Sequence, residues 1–316
     1  MEGNTTNSTE RSCGLSEMPA RTFFISVYTL ICSASLVLNS ITIYVYFCKV
    51  THKSSITVYL KNLAVADLFV CLCLILRIIK YAVSSEEIHR IYCNFGAPAS
   101  YLNMYSSILF MGYIAVNRYL KIVRPMEGHI MQTISSTRNI CITTWAFILT
   151  VNCFYMIAFA STQSAATRSP AEGDFDCDSY HNSLLKKIYR VIQITSFVMF
   201  LFVSVSLMSL YWWTVKRLRQ AESAAPAQTS SIKLIKSKRN MKVLVGVFCV
   251  CFVPYHLVRL PYVFIKPLLH ECIQVQTFYI LKELTVLLAM LNASLDPIIY
   301  FVFCKAFRAQ IRLRQR

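Results

Sequence analysis

Seven predominantly apolar runs, separated by charged and polar stretches, constrain this chain more than any other feature. They lie near residues 22–48, 56–82, 92–122, 138–160, 187–216, 239–265 and 275–303. A helix needs about 20 apolar residues to cross a bilayer, so each run predicts a transmembrane helix. Several runs are longer than a straight crossing requires, which implies tilt or protrusion beyond the lipid. The chain is 56% hydrophobic and only 15% charged, with a mean hydropathy of +0.50. A soluble domain carries roughly a quarter charged residues. Seven spans use most of the 316 residues and leave little for a soluble domain. Only 7 Gly and 9 Pro fit long helices better than β-barrel hairpins. The expected fold is an all-α membrane protein, a seven-transmembrane-helix bundle over 22–303. It is flanked by an outer N-terminus (1–21) and a short cytoplasmic amphipathic helix or tail (304–316).

The formal net charge of +17 raises the question of nucleic acid, but its distribution answers differently. Ten of the fifteen acids fall in segments assigned to the outside: Glu2, Glu10, Glu17, Glu86, Glu87, Glu172, Asp174, Asp176, Asp178 and Glu271. The loop around 217–240 carries Arg217, Arg219, Lys233, Lys236, Lys238 and Arg239 against a single acid, Glu222. This is the positive-inside asymmetry that orients membrane helices, so no nucleic acid polymer is expected as a partner. The N-terminus lacks the basic region and cleavage site of a signal peptide. It carries two glycosylation sequons instead, at Asn4 and Asn7, which agree with an outer N-terminus. A third match at Asn292 lies inside an apolar span and is expected to stay unmodified. The expected location is the plasma membrane, multi-pass, with the N-terminus outside. The basic and apolar alternation from Lys305 to Arg316 reads as a helix on the anionic lipid of the inner leaflet, or as a frayed basic tail.

Four of the thirteen cysteines, Cys13, Cys93, Cys177 and Cys272, fall on the oxidising outer side and predict two disulfides. Spacing does not choose among the three pairings. Polar residues inside the spans ask for another explanation, since hydrocarbon does not tolerate them without a role. Asp67 lies in the second span and Asp296 in the seventh. Arg77, Lys80, Arg259 and Lys282 occupy outer thirds of spans, where they either converge on an anionic ligand or snorkel toward headgroups. Arginine suits phosphate because its planar guanidinium donates two parallel hydrogen bonds.

The ordered set Leu63-Ala64-Val65-Ala66-Asp67, Asn117-Arg118-Tyr119, Trp145, Cys251-Phe252-Val253-Pro254 and Asn292 through Tyr300 resembles the rhodopsin-like receptor family from Asn39 to Phe307. Within it, Phe252 through Tyr262, Lys282-Glu283-Leu284-Thr285 and Asp296 through Lys305 are similar to the ADP- and UDP-sugar-sensing purinergic branch and its orphan relatives. Part of that stretch is shared with lysophosphatidylserine-type receptors. The resemblance implies disulfides Cys93–Cys177 and Cys13–Cys272. It implies an allosteric sodium ion at Asp67, Ser107, Asn292 and Asp296, to be weighed against a neutral hydrogen-bonded cluster there, and no other cofactor. It also implies a heterotrimeric G protein, of the inhibitory type, as partner. Activation would pass through Asn117, Arg118, Tyr119, Phe252, Pro254, Asp296 and Pro297, with Tyr211 and Tyr300 swinging toward Arg118. The ligand, a small extracellular anion, would meet His256, Arg259 and Lys282 at its phosphates and Tyr101 and Tyr105 at its other end. Tyr262, Glu283 and Arg77 complete the expected set.

The chain also departs from the pattern. A loop lysine is replaced by His181, a histidine of the fifth span by Tyr189, and a Leu-Pro-Asn of the fourth by Cys153-Phe154-Tyr155. The acid before Arg118 is Asn117, and no acid lies in Ile232 to Lys242 to replace it, so elevated basal activity is expected. After Phe301 there is no Ser or Thr, which leaves Thr229, Ser230, Ser231 and Ser237 to carry a phosphorylation code. No enzyme constellation such as His-Glu-x-x-His or Gly-x-Ser-x-Gly is present, so the chain is not expected to be an enzyme. A retinal-binding pump would need a lysine where Met290 stands. The remaining alternatives concern the ligand: a nucleotide or nucleotide sugar, a lysophospholipid, or a constitutively active or peptide-responsive orphan.

Overall fold

The computed structural model describes residues 18–49, 54–83, 85–123, 130–164, 177–224, 228–269 and 271–303. It is a bundle of long helices with no strand among the described residues. The helices are α1 (Met18–Tyr44, extended by a π turn Val45–Lys49), α2 (Ser55–Ala82), the short α3 (Glu86–Ile91), α4 (Ala97–Val123), α5 (Ile134–Ser164), α6 (Ser183–Ala224), α7 (Gln228–Ile265) and α8 (Cys272–Phe303). Seven of these form the bundle. The exception, α3, leads through the π turn Tyr92–Gly96 into α4. A Cβ on Gly96 would stand 2.6 Å from the Tyr92 ring, so any larger residue there would have to displace that ring.

Helix ends are satisfied locally. Ser54 caps α2 by accepting the Thr57 N–H at 3.4 Å, and Arg21 of α1 donates to the last carbonyls of α2, Tyr81 at 2.5 Å and Ala82 at 2.6 Å. Polar side chains tie the helices together where lipid offers no partner. Asn39 of α1 donates to the Ala293 carbonyl of α8 at 2.8 Å, and the Trp145 indole of α5 donates to Asn62 of α2 at 2.9 Å. Leu30, Leu72, Ile142, Ile157, Phe202 and Val205 point outward as an apolar belt.

Six helices are long and apolar enough to cross a membrane, and α4 is not among them. The reason is its central place. It packs against α2, α5, α6, α7 and α8, and Asn103, Ser106, Ser107 and Asn117 are buried inside the protein rather than in lipid. A helix shielded by its neighbours can carry polar residues that a lipid-facing helix cannot. The α7 helix starts at Gln228, well before the run at 239–265, because hydropathy marks the lipid-crossing part and not a polar helical extension into the cytoplasm. Pro254 and Pro261 interrupt the hydrogen-bond ladder of α7, and Pro297 that of α8.

Candidate functional site

At the outer end, α2, α4, α5, α6, α7 and α8 surround a cleft of about 660 Å³ including its open mouth. Cys93 and Cys177 are bonded, with Cα atoms 5.4 Å apart, and this staple holds the segment that begins at Cys177 beside the cleft, which Cys177 and His181 line. Cys13 and the side chain of Cys272 lie outside the described residues, as do Asn4, Asn7 and 304–316.

Four cations line the cleft: Arg77, Lys80, Arg259 and Lys282. One acid lies among the lining residues described. Glu283 meets Arg77 at 2.5 Å and Lys282 at 3.0 Å, and accepts the Tyr81 hydroxyl at 2.7 Å. These three charged side chains are nearly inaccessible, at about 5–6% exposure, so the pairing offsets a desolvation cost that would otherwise reach several kcal/mol per ion. Aromatic faces complete the offset. The Arg77 guanidinium lies 4.9 Å from the Tyr28 ring, and the Lys282 ammonium lies 4.1 Å from Tyr279 and 5.3 Å from Tyr262. Tyr262 also faces Arg259, at 5.7 Å, so one ring serves both cations.

Of the expected ligand residues, Arg77, Tyr101, Arg259, Lys282 and Glu283 line this cleft. Tyr262 stands behind it. His256 sits deeper, its ring parallel to Phe200 at 3.7 Å and edge-on to Tyr105 at 5.9 Å. Its Nδ1 is 2.8 Å from the Phe252 carbonyl, which can only accept, so Nδ1 carries a proton. Tyr105 lines a second, apolar groove of α4, α5 and α6, which also contains Phe147, Phe154 and Ile192. Tyr101, Tyr155 and Tyr189 border both spaces. Tyr155, His181 and Tyr189 are cleft residues that the sequence marked only as departures from a pattern. Tyr28 and Tyr81 gave no signal, because a tyrosine in an apolar span looks like any other core aromatic.

Midway through the bundle, Asp67 accepts the Tyr300 hydroxyl at 2.6 Å and lies 3.5 Å from the Asn103 amide nitrogen. Asn292 donates to Asp296 at 3.0 Å. Ser107 Oγ, Asn292 Oδ1 and Asp296 Oδ1 are buried without a hydrogen-bond partner among the described residues.

At the inner end, Arg118 donates to the Phe303 carbonyl at 2.8 Å, and its guanidinium lies 4.7 Å from the Phe303 ring. Asn117 is 1% exposed, and neither end of its amide is hydrogen-bonded to a described residue. Tyr119 packs on Trp213 at 6.0 Å. Phe252 is fully buried, edge-on to Phe248 at 5.4 Å. Tyr211 packs at the edge of the core, whereas Tyr300 is buried with its hydroxyl on Asp67.

A seven-helix bundle with a stapled outer cleft, a buried carboxylate pair and an arginine at the inner end is the architecture of a membrane signalling receptor rather than an enzyme. The family model for the 7 transmembrane receptor (rhodopsin family) matches residues 38–300, and the chain belongs to that family. It is a multi-pass membrane protein, consistent with the plasma membrane, and family membership implies a heterotrimeric G protein as partner. The relatives come from several subfamilies. G-protein coupled receptor 87 of Mus musculus is 32% identical over 90% of this chain and 78% of that protein. A purinoceptor of Bos taurus, number 14 of its series, is 31% identical over 95% and 87%. Probable G-protein coupled receptor 34 of Mus musculus is 27% identical over 94% and 78%.

Proposed function

We propose that the chain is a receptor for an extracellular phosphate-bearing anion, in first place a nucleotide or nucleotide sugar, that signals through an inhibitory G protein. The observation that carries this reading is the cleft itself, where Arg259 and Lys282 stand with Arg77 and Lys80 around a single lining acid. Four cations outnumber that acid, and a doubly charged phosphate group would bring the cleft closer to balance. The relation to proteins named as purinoceptors supports the same class. Ligand bound between α4, α6, α7 and α8 would bias an equilibrium toward a state with α7 swung outward at Pro254, opening the inner end around Arg118 to the G protein.

A second reading has its own support. The apolar groove beside the cleft would hold an acyl chain while the cations held a lipid phosphate, as in a lysophospholipid. The discriminating experiment is G-protein activation in receptor-expressing cells against ADP, UDP-glucose and lysophosphatidylserine, with Arg259→Ala and Lys282→Ala at matched surface level. A nucleotide response lost in both variants establishes the first reading. A response to the lipid alone establishes the second, and silence from all three with a high basal signal favours a constitutively active orphan.

Two further assignments belong to this reading. The buried acceptor oxygens of Ser107, Asn292 and Asp296, with the Asp67 carboxylate close to the same network, fit a hard monovalent cation, which we assign as sodium. At the inner end the residue before Arg118 is the uncharged Asn117, whose buried amide makes no hydrogen bond to a described residue, which supports elevated basal activity.

A further inference from the structure

Three positions at which this chain leaves the pattern of the family branch meet in one place. Tyr155 comes from α5, His181 from the segment between Cys177 and α6, and Tyr189 from the outer end of α6. The Tyr155 hydroxyl lies 2.9 Å from His181 Nε2, with the two rings edge to face at 6.0 Å. The His181 and Tyr189 rings are 5.2 Å apart. The Tyr189 hydroxyl then accepts an N–H of Arg259, whose guanidinium also lies 5.6 Å from the Tyr189 ring. His181, Tyr189 and Arg259 are 5–7% exposed, yet all three line the cleft. His181 is fixed from two sides, by Tyr155 and by the Cys93–Cys177 staple four residues before it.

An arginine side chain has many rotamers to lose, and its planar fork grips an anion well only when its orientation is set in advance. Here a chain of contacts reaches from the stapled loop and α5 to that fork. A lysine at position 181 would face the ligand as a second point charge. The histidine instead engages two tyrosines, so its contribution reaches the ligand through Arg259.

We propose that Tyr155, His181 and Tyr189 are positioning residues that hold the Arg259 guanidinium for the ligand, and that they set how tightly this receptor grips a diphosphate-type anion. The inference rests on the cleft being a phosphate site, and its test separates the two.

Tyr189→Phe and Tyr155→Phe each keep the ring and remove only the hydroxyl, which in Tyr155 is the group that meets His181. Purified full-length receptor is titrated with inorganic pyrophosphate while thermal stability is read, and cells at matched surface level are titrated with ADP and UDP-glucose. Loss of a hydrogen bond to a charged group corresponds to a weakening of about tenfold for Tyr189→Phe, and the more remote Tyr155→Phe weakens binding by about threefold. On an Arg259→Lys background, Tyr189→Phe has no further effect, because the fork it orients is gone. A merely structural tyrosine would act alike on both backgrounds. Wild-type affinity in Tyr189→Phe, or an undiminished effect beside Arg259→Lys, overturns the relay and leaves the phosphate site standing. If pyrophosphate does not stabilise the wild type and neither nucleotide activates it, the phosphate site falls and the relay with it.

Discussion

Glu283 shows how one residue can decide whether a cluster of cations is tolerable. It is the single acid among the described residues lining the outer cleft, and it touches both Arg77 and Lys282. Removing one member of a buried ion network costs about 3–5 kcal/mol, because the remaining charges lose their counterion. Glu283→Gln is expected to lower the melting temperature of purified receptor sharply, whereas Glu283→Gln with Arg77→Met loses less, since one of the two buried cations deprived of Glu283 is removed with it. Equal losses in the two variants would count against the counterion role. The same reasoning applies midway down the bundle, where Asp67 and Asp296 stand among buried oxygens lacking partners. Sodium chloride is expected to raise the melting temperature over an equal concentration of a bulky organic cation, and Asp67→Asn to abolish the difference. A sodium effect that survives Asp67→Asn would remove the ion from this site.

Between elements, the proposed resting state turns on the inner contact of α4 with α8, where Arg118 meets Phe303. Arg118 closes α4 onto the last carbonyl of α8 described, that of Phe303, while the preceding Asn117 contributes no hydrogen bond to it. A carboxylate at position 117 would add a charged acceptor beside the guanidinium that the amide of Asn117 does not supply. Asn117→Asp is therefore expected to lower ligand-free signalling by a fewfold, and Phe303→Ala to raise it, both read as basal G-protein activation at matched expression. Unchanged basal activity in both would sink this account. The helices themselves were legible as apolar runs, including the α4 run that falls short of an ordinary membrane span. What hydropathy could not show was the short α3 and the long polar start of α7, because neither lies in lipid. Thr229, Ser230 and Ser231 fall on that helical extension, with their side chains outside the described residues.

For the molecule as a whole, the Cys93–Cys177 staple joins the π turn ahead of α4 to the segment between Cys177 and α6, which lines the cleft. A disulfide contributes typically about 2–4 kcal/mol, so Cys93→Ser is expected to reduce surface expression and to blunt any agonist response of the receptor that remains. Full surface level and potency in that variant would contradict a structural role for the bridge. The residue order alone determined the seven spans, their orientation, the receptor class and the presence of intramembrane charges, because lipid imposes one rule on every segment: apolar outside, backbone satisfied within. Only the packed structure decided what those charges do. It turned Arg77 and Glu283 into an internal pair, seated His256 against Phe200 below the cleft, and brought Tyr155, His181 and Tyr189 to Arg259. Such pairings join residues from different helices, and their partners are set by helix rotation and depth, which hydropathy along a single span does not encode.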